Sequence, residues 1–345
     1  MKLSVLNLVP LRAECWFGDA LSSMVRLAQG VEALGYGRYW VAEHHNTRKF
    51  ASSATALLVQ DVLSKTSTIR VGAGGIMLPD HAPCLVAEDF GTLAALYPGR
   101  VDLGVGRAPG TDPRTAHAIR GGRDACDKFP QDVQELLGYF AGTEPVHAYP
   151  AENRDVPVCV LGASTLSAHL AATLGLPFAF AAHIAPQQMV SASVVYHAEF
   201  RPSGRLSAPY LILSMNGIVA ETDAEAERLS TTQVMSCIDA MRGEQWPLQP
   251  PMGTPETVLE RAVPPEGAPS HGSSASVNRD ALLNQYRQAL KPLMAESLIG
   301  SPDTVREQCR ALRRRVEFDE LMVSTLVYDE AAQLESYRLL METLG

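Results

Sequence analysis

The chain has 345 residues, of which 46% are hydrophobic and 19% charged, with a formal net charge of -9 at pH 7. That apolar fraction supports a sizeable core and excludes wholesale disorder. The acidic balance disfavours nucleic acid, whose phosphates require a clustered basic face, and the one dense basic run, Arg313 to Arg315, reads as a solvated helix end.

Short apolar, β-branched runs alternate with longer amphipathic stretches, which is the pattern of βα units. In chain order the expected strands are residues 2–9, 38–42, 69–76, 101–106, 156–161, 178–181, 210–219 and 320–324. Helices are expected between them at 17–34, 52–65, 84–96, 129–140, 164–174, 187–200 and 223–241, with a closing helix at 330–343. Eight strands, each followed by helical sequence, predict an α/β fold: a single (β/α)8 TIM barrel over residues 1–345. An open doubly wound sheet fits the same string less economically. Residues 242–278 break the rhythm, being rich in Gly, Pro, Ser and Gln. Pro247, Pro250, Pro251, Pro264, Pro265 and Pro269 forbid a continuous helix there. So long an insertion between the seventh and eighth strands is expected to be a mobile lid or a disordered insertion remote from the site.

The six cysteines show no C-x-x-C and no metal-ligand spacing, so reduced thiols, a cytoplasmic location and no metal centre are expected. No stretch approaches the roughly 20 apolar residues of a membrane span, and residues 1–10 lack the features of an export signal.

In an α/β barrel the active site forms at the C-terminal ends of the strands. The second strand ends in Glu43-His44-His45-Asn46. Neighbours on an extended segment point to opposite sides, so His44 and His45 cannot both face one small ligand. His-x-His, which a barrel metallohydrolase would use, is absent. His44 is the candidate for proton transfer at neutral pH. The third strand ends Gly74-Gly75-Ile76, and paired glycines let a flat ring approach the backbone or let barrel strands pack tightly. The fourth ends Gly106-Arg107-Ala108-Pro109-Gly110, where Arg107 could clamp a phosphate or form a surface ion pair. The fifth leads through Gly162-Ala163-Ser164-Thr165 into a helix, whose N-terminus favours an anion, while Ser164 also suits an ordinary N-cap.

These stretches, from Tyr39 to Asn46, Val71 to Pro83 with Glu88, Tyr97 to Arg107, Leu161 to Ser164 and Gly175 to Phe180, resemble the bacterial-luciferase-like flavin-dependent monooxygenases, closest to their short single-chain branch. The resemblance implies a TIM barrel holding FMN, with a non-prolyl cis peptide at Gly74-Gly75 beneath the isoalloxazine. It implies phosphate contacts from Arg107 and Ser164, an active-site role for His44, and a cofactor cradle completed by Glu43, Gly74, Gly75, Ile76, Gly106, Gly162, Ala163 and Thr165. It also implies a two-component homodimer that takes reduced FMN from a separate NAD(P)H:flavin reductase. With O2, that flavin would oxygenate a small organic substrate through a C4a-(hydro)peroxyflavin, as in natural-product tailoring. Gly106 stands where the luciferase α subunit has a reactive cysteine, which puts aldehyde-dependent light emission in doubt. The alternatives are F420-dependent hydride transfer, a non-catalytic flavin carrier, and a metal-dependent barrel hydrolase.

Overall fold

The structure, a computed structural model, describes residues 1–107, 112–120, 128–265 and 278–345. Residues 108–110 of the glycine-rich loop, residues 266–277 of the expected lid, and Cys126 lie outside the described residues. The other five cysteines are unpaired.

Nine strands are present: β1 (Lys2–Asn7), β2 (Arg38–Val41), β3 (Arg70–Met77), β4 (Val101–Gly106), β5 (Val158–Gly162), β6 (Phe178–Ala181), β7 (Leu211–Val219), β8 (Leu298–Gly300) and β9 (Glu320–Ser324). Every pairing among them is parallel. The order β6-β5-β4-β3-β2-β1-β9-β7 closes through a β6–β7 pairing into an eight-stranded barrel, which is the expected fold. Strand β8 pairs only with the end of β7, at residues 217–219, and lies outside the barrel wall.

Both barrel faces are buried, so the strands read as apolar runs rather than as alternating ones. Their side chains nonetheless divide by parity. Val5, Val41 and Leu103 join the large core between barrel and helices, while Leu6, Trp40, Ala42 and Met322 fill the interior. At the N-terminal end of the barrel, buried Asp102 pairs with Arg38 at 3.0 Å and with Arg70. The Trp40 indole N–H donates to Asp102 Oδ2 at 3.3 Å, so this ion pair also sets the height of the Trp40 ring.

The helices are α1 (Phe17–Ala33), α2 (Thr55–Lys65), α3 (Pro83–Leu96), α4 (Pro113–Arg120), α5 (Phe129–Ala141), α6 (Thr165–Leu174), α7 (Met189–Glu199), α8 (Asp223–Met241), α9 (Pro255–Ala262), α10 (Arg279–Ala295), α11 (Pro302–Arg313) and α12 (Glu330–Leu344). Three of these were not expected, α4, α9 and α10, while α11 ends at the basic run that reads as a helix end. Helix α9 falls inside the segment whose prolines argued against helix. Thr254 caps it and Pro255 occupies its first turn, where a missing N–H costs nothing, so this proline starts a helix instead of breaking one.

The chain from β7 to β9 therefore builds a helical cap. Val234 and Ile238 of α8, Val258 and Leu259 of α9, and Leu283 and Tyr286 of α10 form an apolar cluster of their own. The cap is tied to the barrel mouth by Leu248, whose N–H donates to Leu11 O and whose carbonyl accepts from Ala13 N, both at 2.8 Å. Lys49 Nζ, after β2, donates to Ser236 O at 2.8 Å, and α10 packs against the turn Pro186–Gln188 that follows β6. Among the described residues no helix is long and apolar enough to cross a membrane.

Candidate active site

A cavity of about 330 Å³ opens at the C-terminal ends of the strands. Glu43, His44 and Gly74 line it from β2 and β3, and Gly106, Arg107, Gly162, Ala163 and Ser164 from β4 and β5. Leu6, Trp40, Leu161 and Met322 supply the apolar floor.

The Gly74-Gly75 peptide is cis, as the resemblance implied. Its two glycines play different parts. A Cβ on Gly74 would stand 2.9 Å from Trp40, so bare backbone is required for the chain to lie against that ring beside the cavity. A Cβ on Gly75 would stand 2.7 Å from the Gly104 carbonyl, a close approach of β3 and β4. The register of these strands slips between Ala73 and Ile76. Gly75 and Ile76 consequently lie off the cavity wall, Ile76 in the core outside the barrel, and Thr165 stands off the wall at the start of α6.

Histidines 44 and 45 separate as strand alternation requires. His44 faces the cavity, its Nδ1 lies 3.1 Å from Ser52 Oγ, and its ring packs on Phe50 with centroids 4.6 Å apart. Burial pushes its pKa down to about 4, so it is neutral at pH 7. His45 turns the other way and donates from Nε2 to Glu43 Oε1 at 2.8 Å. The same carboxylate accepts from His81 Nε2 at 2.7 Å and, through Oε2, from Met77 N at 3.2 Å. Burial alone would raise Glu43, but the two imidazoles outweigh it and hold this carboxyl below its usual range. His81 shows the converse: burial lowers it, and the Glu43 contact raises it further than that. Glu43 thus ties the end of β2 to the end of β3.

Ligand atoms of Glu43, His45 and His81 lie within 4.8 Å of one another, a grouping that could accept a metal ion. No local sequence pattern signals this grouping, because His81 is contributed by a different loop. In the arrangement seen, both imidazole N–H groups are engaged by the carboxylate, and a cation would have to replace those bonds.

The β4 and β5 ends bring together the two anion-binding features. Arg107 is exposed and makes no ion pair or hydrogen bond among the described residues. Ser164 is the N-cap of α6, its Oγ accepting from Ser167 N at 3.4 Å, so the capping reading is correct and compatible with a ligand contact. Strands β4 and β5 are paired with Gly106 opposite Leu161, so Arg107 and the free N–H groups at the start of α6 border the same cavity. A guanidinium, a hydroxyl and a helix N-terminus are the donor set of a phosphate, and backbone glycine over an apolar floor suits a flat ring. The residues present fit a flavin mononucleotide.

The sequence pattern of the family described as luciferase-like monooxygenase matches residues 3–318. The chain belongs to this family. A luciferase-like monooxygenase of Escherichia coli K12 is 38% identical over 344 residues, covering 98% of this chain and 96% of that one. The solved structure of apo-MsnO8 is 33% identical with a TM-score of 0.84, over 99% of this chain and 98% of that chain. The oxygenating constituent of 3,6-diketocamphane monooxygenase from Pseudomonas putida, solved with FMN, shares the fold. Its TM-score is 0.69 at 16% identity, covering 100% of this chain and 98% of that one.

Two further cavity residues escaped the sequence reading. His183 lies two residues beyond β6, and Ser214 lies in the middle of β7. The rule that singled out His44, a polar residue just past an apolar strand, would have found His183. No such rule finds a serine inside a strand.

Proposed function

We propose that this luciferase-like monooxygenase is a two-component FMN enzyme: it takes reduced FMN from a separate NAD(P)H:flavin reductase and uses O2 to oxygenate a small organic substrate. The observation that carries this reading is that Arg107 and the start of α6 meet at one cavity whose wall is bare backbone at Gly74 and into which the end of β2 brings a neutral histidine. A protein of this fold solved with FMN adds support.

Bound there, reduced flavin supplies the electrons that activate oxygen. Arg107 and Ser164 hold the phosphate, and Gly74 admits the ring. Leu6, Trp40, Leu161 and Met322 keep bulk water from the reacting atoms. His44, unprotonated at pH 7, takes up and returns a proton beside them. The α8–α10 cap, seated over the mouth by Leu248 and Lys49, closes during turnover.

A cytoplasmic homodimer completes the proposal, with the exposed Leu57 of α2 and Leu85 of α3, 71% and 60% accessible, covered by the second copy. Light scattering reads that state directly. The deciding experiment titrates the protein with oxidised and reduced FMN and follows flavin reoxidation by stopped flow. Micromolar or tighter binding of reduced FMN, and oxygen consumption coupled to a product, are expected. Tight F420 binding with turnover in the absence of O2 would replace this reading, and free peroxide with every compound offered would reduce the protein to a flavin carrier. Accumulation of an unoxidised intermediate in a deletion strain would place it in natural-product tailoring.

A further inference from the structure

The cavity has a third polar station besides the phosphate donors and His44. Around the closed barrel, β6 lies opposite β2, so His183 and His44 face one another across the mouth. The His183 backbone N–H and its ring Nδ1 both approach the Ser214 carbonyl, at 3.1 Å and 3.2 Å. A carbonyl can only accept, so Nδ1 carries the ring proton and Nε2 is left as a lone-pair acceptor. Burial lowers the pKa of His183, which keeps it in that neutral form. Ser214 is 4% exposed and lines the same cavity, and its Oγ has no hydrogen-bond partner among the described residues. An unpaired buried hydroxyl destabilises a fold unless a ligand engages it, and Ala179, Ala181 and Met322 around it offer nothing polar in their side chains.

We propose that His183 Nε2 and Ser214 Oγ form a subsite for an amide edge, accepting its N–H and donating to its C=O. A ketone or ester satisfies only the serine, and a carboxylate meets an imidazole lone pair, so both are disfavoured. Two ligands carry such an edge, with N–H and C=O on the same side: a lactam, imide or primary-amide substrate, and the pyrimidine ring of the flavin itself. Only the second rests on the flavin reading above.

Histidine ¹⁵N NMR of the flavin-free protein tests the tautomer first. His183 should show a protonated Nδ1 and an unprotonated Nε2, and the opposite assignment overturns the proposal. Oxindole and 2-indanone, alike in shape but differing in the N–H, are then titrated into flavin-free protein. FMN and N3-methyl-FMN form the second pair. Loss of the N–H should weaken binding at least tenfold in one pair, because a site built to hydrogen-bond a group rejects the analogue lacking it. The discriminating pair identifies the occupant. His183→Phe should erase most of that preference, whereas Ser214→Ala, which removes the donor to the C=O that both members of a pair carry, should weaken both members alike. Should the larger change prevent folding, Ser214→Ala, which removes one oxygen atom, tests the subsite through that shared loss of affinity. Equal affinities within both pairs, a preference that survives in folded His183→Phe, or wild-type affinities in Ser214→Ala overturns the subsite. If FMN does not bind at all, the flavin reading fails while the amide pair still reports on His183 and Ser214.

Discussion

Replacing Arg107 by alanine isolates the phosphate contact from everything else at the site. The guanidinium is exposed and unpaired among the described residues, so its loss should change folding stability by less than about 0.5 kcal/mol. A hydrogen bond to a charged group contributes about 1.5–3 kcal/mol, which corresponds to roughly 10- to 150-fold in Kd. Arg107 remains in contact with solvent, and screening at physiological salt favours the lower end, about 10- to 30-fold. Arg107→Lys keeps the charge but loses the planar fork, and should fall between wild type and alanine. The assay is flavin fluorescence quenching at two salt concentrations, with riboflavin as the control because it has the ring but no phosphate. Riboflavin should bind the wild type and Arg107→Ala equally, and the FMN difference should shrink as salt rises. If FMN binds both proteins alike, or riboflavin is weakened as much as FMN, the phosphate does not lie between Arg107 and α6.

His44→Asn should leave the Kd for FMN unchanged while lowering turnover by about 10²- to 10⁴-fold, and normal turnover would remove His44 from proton transfer. Burial lowers the pKa of His44 to about 4, and that of His183 in the same direction, so the unfolded chain binds protons that the folded chain refuses. The His44 contribution to stability is complete above pH 6.5 and is lost as pH falls toward 4, and that of His183 is lost in the same sense. The raised His81 acts oppositely: its contribution is present below pH 6.5 and is lost as pH climbs through its folded-state value. Urea midpoints between pH 7 and pH 5 should therefore decline less in His44→Asn than in wild type; parallel curves would contradict the assignment. Asp102→Ala leaves largely buried Arg38 with Glu320 alone at 3.6 Å among the described residues and should cost toward the lower end of about 3–5 kcal/mol by urea unfolding, with a changed near-ultraviolet signal from Trp40. Leu259→Ala removes a buried side chain from the cap and should cost about 2–5 kcal/mol locally. Hydrogen exchange should then accelerate in α8–α10 and stay unchanged in the barrel strands; acceleration throughout would show that cap and barrel open as one unit.

The barrel was legible because a strand buried on both faces must be apolar along its length, and the residue ending each run stands at the active-site face. That reasoning found Glu43, His44, Arg107 and Ser164, which all line the cavity. It could not divide Gly74 from Gly75, since neither has a side chain. What separates them is the facing atom, Trp40 for one and the Gly104 carbonyl for the other, and both come from other strands. The partnership of Glu43 with His81 was hidden for the same reason: it joins the ends of two different strands, and no local pattern records it. The cap was missed through a different property of the chain. Pro255 and Pro302 each stand in the first turn of a helix, where a residue without an N–H starts the element it would interrupt a turn later. Proline counts alone do not carry this distinction; it depends on the capping residue before each one, Thr254 with a side-chain cap and Ser301 with an extended backbone. The same position dependence bears on Ser214. A serine within a strand is unremarkable until closure of the barrel brings His183 onto its carbonyl and leaves its hydroxyl facing an apolar wall, so what that hydroxyl binds is decided by ring closure and not by the residues on either side of it.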